Sequence, residues 1–187
     1  MPRFIALLRA INVGGHTVKM DRLRKLFEDC GFSDVETFIA SGNVIFDAES
    51  ENAQALEIRI GDYLEESLGY EVTTFIRTPS DLADIATYEP FPDSQAETEG
   101  TTLYVSFLPT PPDSEAQLKL EAYCTEVDAF HVRGRELYWL RRMKMSDPAY
   151  PVPPFGKALG MPSTMRNATT VRKLAAKYAP NDEAPLE

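Results

Sequence analysis

Polar residues with a chemistry of their own gather in two short stretches. The first runs Arg9, Asn12, Gly14, Gly15 and His16, with Ser41, Gly42 and Asn43 farther along the chain. Paired glycines ahead of a helix can turn backbone N–H groups and the positive helix end toward an anion. Arg9 or Lys19 would add charge, Ser41 and Asn43 neutral hydrogen bonds, and His16 a ring nitrogen that can donate to a phosphate. The spacing is neither a dinucleotide fingerprint nor a P-loop. The same residues also read as turn chemistry, with Asn12 capping a turn and Ser41-Gly42-Asn43 making a hairpin. The second stretch is Thr164-Met165-Arg166-Asn167, just ahead of an expected helix. Asn167 or Thr169 can cap that helix, and Arg166 could meet an anion at its N-terminus or pair with the acidic first domain. Tyr138 and Trp139 lie close to Arg141, Arg142 and Lys144, a mixture that suits either stacking on a base or an alternating core strand.

Several chemistries are disfavoured. His16 and His131 are the only histidines. His131 lies in an apolar run and reads as structural, so neither a Ser–His–Asp nor a Cys–His arrangement assembles. Cys30 and Cys124 lack CxxC or Cys/His spacing, which argues against a zinc site, and each reads as a buried reduced thiol. The residues specify no cofactor.

The net charge of −10 argues against a nucleic-acid coat protein, but the charge is uneven. Residues 1–27 hold six basic residues and one acid, and residues 133–178 hold ten and two. Residues 28–132 hold three basic residues and 23 acids. The pattern fits a solvated acidic surface with basic ends, or ends that fold together around an anion. No apolar run approaches the ~20 residues of a membrane span. Phe4–Leu8 is cut off by Arg9, too short for a signal-peptide core, so the expected location is the cytoplasm, with no membrane partner.

The elements that must position these residues follow from periodicity. Arg3–Arg9 reads as a buried strand, Lys19–Cys30 as a helix with Met20, Leu23 and Phe27 on one stripe, and Gly31 as its stop. Val35–Ala40 and Val44–Phe46 read as a hairpin, Asn52–Leu68 as a helix, Glu71–Arg77 as a strand and Thr78–Tyr88 as a short helix. The plan then recurs. Thr101–Leu108 is a strand, Asp113–Tyr123 a helix, and Val127–Val132 and Glu136–Leu140 strands. Pro154–Leu159 is a helical turn, Pro162–Met165 a short strand and Thr169–Tyr178 a last helix. The expected fold class is α+β, two ferredoxin-like (βαββαβ) sandwiches in tandem, over residues 1–88 and 101–179 with a linker at 89–100; a single mixed sheet is the alternative. In such a unit the first loop, the hairpin and the loop after the second helix share one end of the sheet. Arg9, Asn12, Gly14, Gly15 and His16 should therefore gather beside Ser41 and Asn43.

Ile5 through Gly15, then Met20, Leu23, Gly31-Phe32, Asp34-Val35, Ser41-Gly42-Asn43-Val44 and Phe46, resemble the signature of a bacterial family catalogued as domain of unknown function 1697. Thr164 through Asn167, with Thr170-Val171 and Lys173-Leu174, is similar to that family's second motif. The resemblance implies a two-part ferredoxin-like α+β fold and no assigned activity. Ala168 departs from it, standing where a tryptophan is expected, and Thr169 stands where asparagine is usual.

These readings favour a binding module for a small anionic, phosphate-bearing ligand at the interface of the two domains. Its expected contacts are Arg9, Asn12, Gly14, Gly15, His16, Ser41, Asn43, Arg166 and Asn167. An enzyme at the same cleft is one alternative, with His16 as acid or base. A structural or interaction protein forming a homodimer is another. Nucleic acid is disfavoured as a partner, and the chain is expected to be a monomer or homodimer.

Overall fold

The computed structural model describes residues 1–49, 52–92 and 99–178. Two four-stranded antiparallel sheets and, among the described residues, six helices make an α+β protein. The chain divides into two compact units: Met1–Asp84 together with the chain from Lys173, and Ile85–Arg172.

In the first unit β1 is Arg3–Leu8, α1 Met20–Asp29, β2 Ser33–Thr37, β3 Asn43–Asp47, α2 Ala53–Leu68 and β4 Thr74–Arg77. The strand order is β2-β3-β1-β4. The period-2 alternation of β1 puts Phe4, Ala6 and Leu8 on one face. There they join Val44, Phe46 and Ile76 and meet Leu23 and Phe27 of α1 and Leu56, Ile60 and Leu64 of α2. The opposite face is apolar too, with Ile5, Leu7, Ile45 and Phe75 all buried, as a sheet covered on both sides requires. Asn52 caps α2, its side chain accepting from the Ala55 N–H, and Gly69 ends that helix in the left-handed region.

Helix α3, Pro79–Thr87, follows, and its last residues belong to the second unit. There β5 is Thr102–Phe107, α4 Ser114–Glu121, β6 Asp128–Arg133, β7 Glu136–Arg141, α5 Phe155–Leu159 and β8 Thr164–Asn167. The strand order β6-β7-β5-β8 repeats that of the first sheet. Leu137 packs with Leu108, Leu120, Ala158 and Leu159 on the helical side. On the same side the Trp139 ring lies between Tyr104, Phe130 and Phe155. Helix α6, Ala168–Tyr178, starts in this unit and ends in the first.

The expected elements are present with shifted ends. Strand β4 begins at Thr74 rather than Glu71 because its partner β1 ends at Leu8, which pairs with Thr74. Strand β2 lies at Ser33–Thr37 rather than Val35–Ala40. The pairing shifts register between Ser33 and Glu36, Asp34 has φ +48°, and Ile39 at φ +50° takes the chain out of the extended region. The short strand expected at Pro162–Met165 runs Thr164–Asn167. Both cysteines were expected to be buried: Cys30 is half-buried against the first core, and Cys124 is exposed, past the end of α4 at Glu121. The expected linker 89–100 falls inside the second unit, and its residues 93–98, like residue 179, lie outside the described ones. No helix among the described residues is long and apolar enough to cross a membrane.

Candidate functional site

The β1–α1 loop, the β2–β3 hairpin and the α2–β4 segment meet at one end of the first sheet. Asn12 joins the first two: its Nδ2 donates to the Ala40 carbonyl at 2.9 Å and its Oδ1 accepts from the Val18 N–H at 2.7 Å. Asn43 is fully buried, its Nδ2 donating to the Phe38 carbonyl at 3.0 Å and to Ser41 Oγ at 2.9 Å. The Leu8 N–H donates to the Gly42 carbonyl at 2.8 Å, and the Arg9 N–H to the Thr73 carbonyl at 2.9 Å. The His16 ring stacks on Tyr70 of the α2–β4 segment, centroids 3.8 Å apart. Tyr70's hydroxyl is buried without a hydrogen-bond partner among the described residues, and burial pushes its phenol above the usual range.

The topology therefore brings Arg9, Asn12, Gly14, Gly15, His16, Ser41 and Asn43 to one place, but in two classes. Asn12, Ser41 and Asn43 spend polar atoms on the backbone or on each other. Arg9 and His16 are exposed, and the Arg9 guanidinium has no partner among the described residues. Gly14 and Gly15, at φ +61° and +89°, open onto empty space where a Cβ would stand. Ala10 and Asn12 also take positive φ, so the loop is a succession of left-handed residues.

Arg166 and Asn167 lie in the second unit. The structure does not bring Arg166 to an open surface. It is 7% exposed, its guanidinium donating to Thr164 Oγ1 at 2.8 Å and the Met165 carbonyl at 2.9 Å. Burial lowers its pKa to about 10. Asn167 is exposed and caps α6, accepting from the Thr169 N–H at 2.9 Å.

At that helix start the second unit opens a cleft of ≈ 270 Å³. Asn167, Ala168, Thr169 and Arg172 form one wall, Thr101, Thr102 and Leu103 of the β5 end another, and Tyr88 through Phe91 a third. Arg172 stands one helical turn beyond Ala168, so both project to the same side. Its guanidinium is exposed and has no partner among the described residues. Tyr88 is fixed from behind, its hydroxyl 2.8 Å from His131 Nε2 and the Arg133 guanidinium 4.3 Å over its ring. Ala168 is buried beside the cleft, where a larger side chain would intrude.

Sequence reasoning missed Arg172, Tyr88 and Phe91. The signal for Arg172 was its four-residue spacing from Ala168. Tyr88 and Phe91 had none, because Tyr88 read as the end of a short helix and Phe91 as part of the linker 89–100. His131, expected to be structural, does hold Tyr88. Among the described residues no group of three or more His, Cys, Asp or Glu side chains could hold a metal ion.

The solved structure of the conserved bacterial protein SP0830 from Streptococcus pneumoniae is similar to this chain. It superposes with a TM-score of 0.69 at 21% identity, covering 95% of this chain and 98% of that one. At that identity the likeness speaks for the fold alone. None of the curated proteins compared with the chain matches it. The sequence profile of the protein family of unknown function DUF1697 matches residues 1–138, most of the chain, and the protein belongs to that family.

Proposed function

We propose that this protein is a binding module for a small anionic, phosphate-bearing ligand, taken by the second-unit cleft at the start of α6. The observation that carries the proposal is Arg172, an exposed guanidinium unpaired among the described residues, beside the N-terminus of an 11-residue helix in an open cleft. A guanidinium and first-turn N–H groups are complementary to a phosphate or carboxylate. Thr169 adds a hydroxyl donor on the same wall, and Thr101 and Thr102 add two on another. Glu89 also lines the cleft and sets a limit: one phosphate group suits the site better than a dense polyanion.

Isothermal titration with inorganic phosphate, a sugar phosphate and a nucleoside monophosphate tests this. Saturable binding that Arg172→Ala abolishes, with an unchanged melting temperature, is the expected result. Binding lost only in Arg9→Ala would move the site to the first-unit loop. No binding by any probe would reject the anion class.

A second reading applies to the first-unit motif. The hydrogen bonds of Asn12 and Asn43 favour a bracket that holds the loop and hairpin together over direct contact with a ligand. We further assign each unit to the ferredoxin-like βαββαβ plan and read the pair as an internal duplication. The repeated strand order, second-third-first-fourth in each sheet, supports that assignment.

A further inference from the structure

The second unit carries another cleft, of ≈ 480 Å³, that shares no residue with the first. Its walls are Tyr123, Val127, Tyr150, Pro151 and Pro153, and its charged lining is Glu126 and Asp128. Among the described residues, neither lysine, arginine nor histidine lines it. The volume falls within the ~300–1,000 Å³ of small-molecule sites, which pair apolar walls with a few placed polar groups.

The cleft rests on a buried network. Asp128 is 4% exposed, and its Oδ1 accepts from Trp139 Nε1 at 2.8 Å and from Arg141 at 3.0 Å. Its Oδ2 accepts from Arg141 at 3.1 Å. Arg141, fully buried, also donates to the Tyr150 main-chain carbonyl, which ties the segment bearing Tyr150 and Pro151 to Asp128. Asp128's charge is thus matched from behind by Arg141. Glu126 is different: Arg142 holds only its main-chain carbonyl, and its carboxylate, exposed at the rim, has no partner among the described residues.

We infer that this cleft binds an organic cation, an amine or quaternary ammonium with an apolar body. Tyrosine faces attract such a cation through the ring quadrupole, and Glu126 supplies the opposite charge. Proline and valine walls suit the apolar remainder. An anionic ligand would meet two carboxylates and no base. A neutral apolar ligand would cover the Glu126 carboxylate without giving it a partner, a loss that disfavours it.

Trp139 is the only tryptophan, and its N–H is bonded to the carboxylate that lines the cleft, so its emission reports on the site. The test is a fluorescence titration of the full chain with benzyltrimethylammonium, against 3-phenylpropionate at matched ionic strength. The cation should give a saturable change and the anion none. Glu126→Gln and Tyr150→Ala, both at exposed positions, should each weaken binding about fivefold or more while melting like wild type. Arg172→Ala should leave this titration unchanged, which separates it from the phosphate site. Absence of saturation, equal response to the anion, or undiminished affinity in both variants would each overturn the inference.

Discussion

Gly42 has room for nothing larger than hydrogen. A Cβ there would stand 3.0 Å from Ile11 Cβ and 3.2 Å from Leu8 Cβ, on a backbone at φ +74°. Gly14 takes a similar φ of +61° but faces open space. The two glycines separate conformation from packing. Gly14→Ala should cost about 1 kcal/mol, the left-handed penalty alone. Gly42→Ala adds overpacking and should cost about 2–4 kcal/mol in a urea titration. Equal losses would show that the loop moves away to accept the methyl. The turn itself was legible, because Ser-Gly-Asn supplies the positive φ a tight connection needs. That the glycine lies against Ile11 was not legible, since the contact joins two loops distant in sequence. Arg166 teaches the same lesson: its type suggested a ligand contact, but strand alternation with Thr164 buries it, and no local signal announced that.

The elements follow local rules wherever their partners are local. Asn52 before α2 and Gly69 after it bound that helix as the sequence suggests. Strand ends depend instead on partners elsewhere, which is why β4 lost its first residues. The end of α6 shows what such a distant contact does. Tyr178 Oη donates to Glu36 Oε2 at 2.9 Å, and Lys177 Nζ lies 3.1 Å from the same oxygen, so α6 is fastened to β2. The Tyr178 hydrogen bond first, and Lys177 next, hold the Glu36 carboxyl below its usual pKa; Arg3 adds a smaller attraction. A carboxylate whose pKa is lowered on folding contributes stability above its unfolded pKa and loses it as pH falls through the folded value. Glu36→Gln should therefore melt below wild type at pH 6. The gap should close as the pH drops below the ordinary carboxylate pKa of about 4.3. A gap that stays constant down to pH 2.5 would assign the loss to packing instead of charge.

At the scale of the whole molecule, two sheets of one strand order suggest two self-contained halves, and the sequence pattern divides the chain that way, at 1–88 and 101–179. The compact units divide it differently, because α6 from Lys173 onward counts with the first unit although more than eighty residues of the second unit come before it in the chain. Periodicity marked Thr169–Tyr178 as a helix but could not tell which unit would receive each of its residues. The consequence concerns the first unit's stability. Leu174, Ala175 and Tyr178 are buried, and removing a large apolar side chain from water contributes about 1.5–3 kcal/mol. Truncation after Arg172 deletes all three along with both partners of Glu36. The truncated chain should unfold its first sheet several kcal/mol more easily than the full chain. Hydrogen exchange of the β1 and β3 amides against the full-length protein is the direct measure. Protection of those amides should fall while that of β5 and β7, in the second unit, changes less. Loss confined to β5 and β7 would instead make α6 an element of the second unit alone, as the sequence pattern had it.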